Sequence, residues 1–461
     1  MNERVRIINP HSKRTYFVRP VKNENFEYEQ CSESNSKGTF TLRKEISESG
    51  LYHGQYFESE KENVFKATFV VTEGDLTVEL PLVEKSKEDE WINLPEQYYD
   101  YNFYIDWGDD SPIQHITKWD DPNRIHEYPS EGEYQITVTG TMQMWRYLIV
   151  FGWSTNGTPQ HLKSIDQTGA GFCDNVVAFS GMFAYCENLE SVPELDTSSG
   201  VFFNSMFFEC ISLINVHLPD TSSGVNFMAM FYECISLINV HLPDTSSGVV
   251  FRTMFYECVS LSNVHLPDTS SGVSFASMFW GCISLSNVYL PDTSSGDDFY
   301  DMFAGCISLI NVHLPDTSSG ECFHTMFAGC ISLINVHLPD TSSGAHFFGM
   351  FADCISLSNV SLSDVSNGSG NLKYVGMFFN CTSLASVSMP GINGNISFAD
   401  CPLPTIAARE DIYENSLTEV GAPGSDTYTI TMPCPDVGED DRIAQDKGWL
   451  VQRQVDPLIT R

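Results

Sequence analysis

Between Phe179 and residue 400 the apolar positions recur on one fixed period. SLINVHLPDTSSGVNFMAMFYEC runs from Ser212 to Cys234, and SLINVHLPDTSSGVVFRTMFYEC runs from Ser236 to Cys258. Met182, Met206, Met230, Met254, Met278, Met302, Met326 and Met350 stand 24 residues apart, each followed by Phe. Such a period marks a solenoid, in which every unit buries its apolar face against its neighbours. Within one unit, Leu213, Val216 and Leu218 give the core side of a short strand. Pro219 ends its pairing, and Asp220-Thr221-Ser222-Ser223-Gly224 supplies an exposed turn through side-chain-to-backbone bonds and a glycine. Phe227, Met230 and Phe231 then return to the core on a second short strand or helical turn. Nine coils stacked about 4.8 Å apart predict a rod roughly 40 Å long over residues 179–400.

Upstream the pattern changes in kind. FKATFVV, LTVELPL, YNFYIDWG and YQITVTG alternate apolar and polar residues within 63–144, with Asp109-Asp110 and Glu131-Gly132 as turn signals. They predict a small antiparallel β-sandwich. Residues 1–62 are polar and charge-rich, with strand character at Val5–Ile8 and Tyr16–Val18: a small β domain or an attachment region. Residues 145–178 are expected to connect the two parts and cap the first coil. Residues 401–461, entered through the degenerate coil FADCPLPTI, are expected to cap the last, since an open end exposes core and sheet edge. The fold class is mainly β.

Charge narrows the function classes. The 461 residues carry a net charge of −36 with 42% apolar residues, and between Phe179 and Asp400 only Arg252 and Lys373 are basic. Such a surface repels phosphate backbones and anionic lipid, so neither nucleic acid nor a membrane surface is an expected partner. No apolar run approaches the roughly 20 residues that insertion into a bilayer needs. The opening MNERVRIINPHSKRTYF lacks the apolar core of a secretory leader, so classical export is not expected from it. Fourteen cysteines would suggest disulfides if irregularly placed, but Cys186 to Cys354 fall 24 apart and Cys381 follows a three-residue insertion. One thiol per coil reads as a buried apolar column rather than a metal or disulfide set.

The repeats resemble the BspA-like leucine-rich repeat proteins, a bacterial surface-protein group whose unit runs D-T-S, M-F, C-x-S-L. Here it stands as Asp196-Thr197-Ser198, Met206-Phe207, Cys210 and Ser212-Leu213, and recurs in the following coils. IDWGDDSP with HEYPSEGEYQITVTG resembles a PKD-like (Ig-like) sandwich, which often precedes such repeats, and IAQDKGWLV is similar to the family's closing cap. The resemblance covers about 64–461. It implies adhesion or protein binding at a cell surface or outside the cell, without catalysis. Two departures stand out: no leader is evident, and Asp110 stands where the sandwich family usually has glycine.

Comparing the coils with one another separates two sets of columns. One set scarcely changes, and it is what any coil needs to stack on its twin. The other changes at nearly every copy: Asn204/Ser205, Met228/Ala229, Arg252/Thr253, Ala276/Ser277, Tyr300/Asp301, His324/Thr325 and Phe348/Gly349, and the row Phe208, Tyr232, Tyr256, Trp280 that becomes Ala304, Ala328 and Ala352. Because the turn and the histidine column have barely drifted, the variable face is expected to bind a partner. Phe208, Tyr232, Tyr256 and Trp280 would be its aromatic stripe, joined by Asn204, Met228, Arg252, Tyr300, His324 and Phe348. The competing reading makes the aromatic row a half-buried packing column.

Two further rows carry chemistry. His217, His241, His265, His313 and His337, interrupted by Tyr289, form an exposed ladder, read either as solvated strand filler or as a pH-sensitive face. Asp220, Asp244 and Asp268 lead a carboxylate row whose first role is turn capping and whose second reading is calcium. No nucleophile elbow, phosphate loop or dinucleotide fingerprint occurs, and near-identical copies offer no singular catalytic constellation. The expected function is non-enzymatic binding of a protein or glycan partner without a required cofactor, with a structural spacer or fibre component of an envelope or phage-like particle as the alternative.

Overall fold

The computed structural model describes side chains at residues 64–84, 99, 101–142, 144–147, 156–168, 176–193, 195–367, 372–403, 405–419, 428–433 and 440–454, and the backbone of six strands before them. Those six are β1 (Val5–Ile8), β2 (Thr15–Pro20), β3 (Asn25–Gln30), β4 (Lys37–Thr41), β5 (Arg43–Ile46) and β6 (Tyr52–Gln55). The first four make an antiparallel sheet in chain order, and β5 pairs with β6.

Strict alternation builds the next layer. It holds β7 (Val64–Val71), β8 (Thr77–Glu79), β9 (Tyr101–Asp106), β10 (Gln114–Ile116), β11 (Ile125–Glu127), β12 (Gly132–Met142) and β13 (Leu162–Gln167). β7 turns Phe65, Ala67, Phe69 and Val71 inward, and β9 does the same with Tyr101, Phe103 and Ile105. Five strands form one antiparallel sheet in the order β10-β9-β12-β7-β13, and β8 pairs with β11 in a second. At the turn after β9, Asp110 adopts φ 64°, the left-handed conformation glycine takes freely and Asp tolerates. Asp109 Oδ1 accepts from Ser111 N at 3.1 Å beside it, and Asp106 Oδ1 accepts from Gly108 N at 3.0 Å. The missing glycine is thus replaced by a residue suited to the same turn.

One boundary moves. The sequence ends the sandwich at residue 144 and makes 145–178 a connector, yet β13 lies within that stretch and pairs with β7. Its other edge meets the first coil through a parallel bridge from Ser164 to Ser191. The reason is the edge itself: β13 buries Leu162 and Ile165, with its register against β7 shifted between Leu162 and Ser164, and has two partners for its peptides. The antiparallel sheet therefore supplies the first rung of the solenoid.

Each coil of the solenoid gives one short strand. Asn215–His217, Asn239–His241 and Asn263–His265 pair parallel with every residue opposite its own equivalent. The returning flank is neither of the forms expected for it. Along it, Phe227, Ala229, Phe231 and Glu233 donate their N–H groups to Val250, Arg252, Met254 and Tyr256 of the next coil, at 2.7 to 3.0 Å. The intervening N–H groups of Met230, Tyr232 and Cys234 turn back to Phe227, Ala229 and Phe231. This pattern puts two residues per coil into left-handed backbone, as at Ala229 (φ 53°) and Glu233 (φ 54°). A left-handed residue with a Cβ costs about 1 kcal/mol or more. The cross-coil bonds offset it.

Inside, two phenylalanine ladders run the length of the stack. Phe203, Phe227 and Phe251 lie 5.4 to 5.6 Å apart, stacked with nearly parallel planes, and Phe207, Phe231 and Phe255 lie 5.5 Å apart. Met230, Cys234 and Leu237 are fully buried between them. Cys234 Sγ donates to Phe207 O at 3.0 Å, and the same contact repeats down the column, which is a core column. The threonines correct an expectation: Thr221, Thr245, Thr269, Thr293, Thr317 and Thr341 are buried, not exposed. Each hydroxyl donates to the carbonyl of the aspartate one coil on, as Thr341 does to Asp364 at 2.6 Å. Their constancy reflects packing. At the far end, Ile396–Ser397, Thr429–Met432 and Leu450–Arg453 form a parallel sheet, Thr405 caps helix α1 (Ile406–Asp411), and Trp449 Nε1 donates to Thr418 O at 2.8 Å.

The turn glycines serve packing too. A Cβ on Gly248 would lie 2.4 Å from the Phe251 ring and 3.0 Å from Thr245 O. Gly248→Ala is therefore expected to destabilise the rod by about 1–3 kcal/mol through overpacking. A thermal midpoint equal to that of the parent would disprove this account of the glycine.

Candidate ligand-binding face

The variable residues sit on the returning flank, where left-handed residues stand four apart. Phe208, Tyr232, Tyr256 and Trp280 each follow Met-Phe and are half-buried. They stack on one another: Phe208 on Tyr232 at 4.6 Å, Tyr232 on Tyr256 and Tyr256 on Trp280 at 4.5 Å, within 7° of parallel. Tyr185 meets Phe208 edge-on at 5.4 Å and closes the row. Offset stacking of this kind contributes about 0.5–1.5 kcal/mol per pair beyond area burial. These rings are separate from the two internal phenylalanine ladders. Coils without them keep the same backbone: Gly305 N still donates to Ala328 O at 2.7 Å where Ala304 and Ala328 replace the rings.

A second stack follows in the later coils. Tyr300 lies on His324 at 5.1 Å, and His324 contacts Phe348 at 4.7 Å with a tilt of 40°. Burial lowers the His324 pKa. Asn204 is tied down, its Oδ1 accepting from Ser180 Oγ at 2.7 Å, while Met228 is half-buried and Arg252 exposed. The partner column of these residues has a different explanation from the one expected. Ser205, Ala229, Thr253, Ser277, Asp301, Thr325 and Gly349 are the left-handed residues before Met, with φ from 50° to 58°. Most are small because the backbone there penalises bulk. Their variation is not evidence of ligand contact.

A third row escaped the sequence comparison. Glu209, Glu233 and Glu257 immediately follow the rings, at φ 52° to 55°. Burial, then the charges of Glu233 and Glu187, push the Glu209 carboxyl above its ordinary range, and burial and Glu233 do the same to Glu257. In several coils an exposed isoleucine follows this column, as at Ile235, Ile283 and Ile307. The next coils carry Gly281, Gly305 and Gly329 there, so the column is not constant along the period. Another acidic group lies at the start of a later coil's flank: burial, Asp298 and Glu321 raise the Asp297 pKa.

The histidine and aspartate rows lie elsewhere. His217, His241, His265, His313 and His337 are exposed on the strand face, with His217 stacked on His241 at 5.4 Å and Tyr289 on His313 at 5.0 Å. Asp220, Asp244 and Asp268 each accept from the N–H two residues on, at 2.8 to 2.9 Å. The backbone bond from Ser246 lowers the Asp244 pKa. Among the described residues no group of three or more His, Cys, Asp or Glu side chains is placed to hold a metal ion. None of the helices described is long and apolar enough to cross a membrane.

The glutamate row predicts an inverted pH effect. A carboxyl whose folded pKa is raised stabilises the fold fully below its unfolded pKa and loses that contribution as pH rises through the folded value. Glu257→Gln should therefore raise stability at pH 7 by roughly 0.5 kcal/mol, the scale of neighbouring like charges, and the gain should vanish below about pH 4. Paired melts at the two pH values measure it. A variant less stable than the parent at pH 7 would refute the repulsion.

Residues 179–300 and 275–403 match the family model described as BspA type Leucine rich repeat region (6 copies). No curated protein matches the chain. Among solved structures it is similar to the TLR13–ssRNA13 complex, at 14% identity and a TM-score of 0.27 over 61% of this chain and 42% of that one. It is also similar to the Toll–Spatzle complex of Drosophila, at 11% identity and a TM-score of 0.23 over 60% of this chain and 43% of that one. The chain thus spans less than half the length of either. Coil geometry and family model agree over residues 179–403, where the repeats are similar to the BspA type of leucine-rich repeat.

Proposed function

We propose that the chain is a non-enzymatic binding module which presents the returning flank of its solenoid to a protein or glycan partner, at a cell surface or outside the cell. One observation carries this reading. The ring row from Phe208 to Trp280 is half-exposed and stacked, yet the coils that replace it with alanine fold identically. Rings the fold does not require, ordered in advance on a rigid support, suit a partner that dominates its contact through aromatic side chains. Repetition along the rod adds modest contacts into one extended interface. The histidine ladder lies on the strand face and has no part in this reading. Calcium has none either, since the turn aspartates are engaged by backbone N–H groups.

A spacer or fibre component is the second reading, favoured by the sheet that continues from β13 into the first coil. A spacer needs no rings. The double variant Tyr256→Ala/Trp280→Ala of the full chain should lose at least about tenfold in capture of extracellular proteins or arrayed glycans, while retaining the parent's circular dichroism and melting profile. Unchanged capture by a folded variant would dismiss the ring face and leave the spacer.

A further inference from the structure

We propose that the partner of this face is a basic protein segment whose arginine side chains settle on the stacked rings and pair with the glutamate row behind them. The inference depends on the binding reading above and gives it a chemistry. Tyr232-Glu233 and Tyr256-Glu257 place a carboxylate one residue from each ring, so ring and anion come as a repeated unit. A guanidinium lies flat against aromatic faces while donating in a fork to a carboxylate, which an ammonium cannot do at once.

Three observations favour this occupant. First, the arrangement is costly. Glu209, Glu233 and Glu257 hold left-handed backbone that Gly281, Gly305 and Gly329 adopt without penalty in later coils. Ring and acid stand together in three successive coils, Phe208-Glu209, Tyr232-Glu233 and Tyr256-Glu257, whereas Trp280 precedes Gly281 and Asp353 follows Ala352. Second, no lysine or arginine neutralises the row. Only two such residues exist between 179 and 400, and Lys373 is buried with its ammonium donating to Val365 O and Asn367 O. Arg252 is exposed, and its charge acts on Tyr300. Third, acid continues along the flank: Asp301 bears on Tyr256, and Asp297 and Asp298 lie in the same coil as Tyr300. A second copy of a chain with net charge −36 would bring repulsion, and a neutral glycan would leave the carboxylates unanswered.

An acidic rod attracts any polycation, so the test must separate the face from net charge. Binding of an arginine-rich peptide and of its lysine counterpart to the full chain is measured at physiological salt. Glu233→Gln/Glu257→Gln should weaken the arginine peptide by at least about tenfold, and Asp316→Asn/Asp340→Asn, which removes equal charge from the turn row, by less than about twofold. The parent should prefer arginine to lysine. Thermal melts check folding, and the glutamine variant should melt no lower than the parent. Equal losses in both double variants, or equal affinity for the two peptides, would overturn the proposal. Should Tyr256→Ala/Trp280→Ala still lose capture of other partners in that event, the face remains a binding face and only its basic partner is withdrawn. Should capture also persist, the reading beneath it fails as well.

Discussion

The solenoid depends on peptide groups of one coil finding partners in the next. A 24-residue coil has too little surface of its own to satisfy them, and a buried N–H or carbonyl left alone costs about 1–3 kcal/mol. The strand side solves this with a parallel ladder in exact equivalence, Val216 opposite Val240. The returning flank solves it with two left-handed residues per coil, four apart, so that every second N–H crosses to the next coil and every other one closes a turn. Identical coils are thereby forced into register. Any side chain at a given position becomes one member of a stripe, and stripes are what the rod can offer a partner.

That constraint also explains what the sequence conceals. The period, the Met, Phe, Leu and Cys columns, the strand at Asn215–His217 and the need for end caps are legible because burial repeats whenever the coil repeats. The direction of residues on the returning flank is not. A left-handed residue sends its side chain where neither helical nor strand periodicity would place it, so the period does not single out Glu233 and puts Ala229 on a contact surface. Thr245 misled in the opposite sense. Thr-Ser-Ser has the composition of an exposed turn, yet the hydroxyl reaches inward to the next coil. Gly248 looked like a conformational requirement and is instead the space a phenylalanine ring occupies. Of the candidate site, the ring row was legible and its carboxylate companion was not.

The junction with the antiparallel sheet has the same logic. β13 carries two buried apolar residues, Leu162 and Ile165, for the sheet formed with β7, and an edge for the first coil. Exposed edges invite pairing with other chains, and both the sheet and the solenoid would have had one there. Joining them removes two at a stroke. The core is continuous across the join, from Phe69 and Ile165 to Phe179 and Phe183, so the rod is oriented by the sheet rather than tethered to it.

Variation along the rod then acquires a direction. In the early coils the flank carries rings at Phe208, Tyr232 and Tyr256 with glutamates behind them, and two later coils carry Ala304-Gly305 and Ala328-Gly329 there. The aromatic and acidic character does not end there but shifts columns, to Tyr300, His324 and Phe348 beside Asp297, Asp298 and Asp301. Random drift among duplicated coils has no reason to exchange one ring–acid column for another on the same flank. A requirement for the flank to stay both aromatic and acidic does. The fold tolerates either column because its own core, the two internal phenylalanine ladders, is indifferent to both.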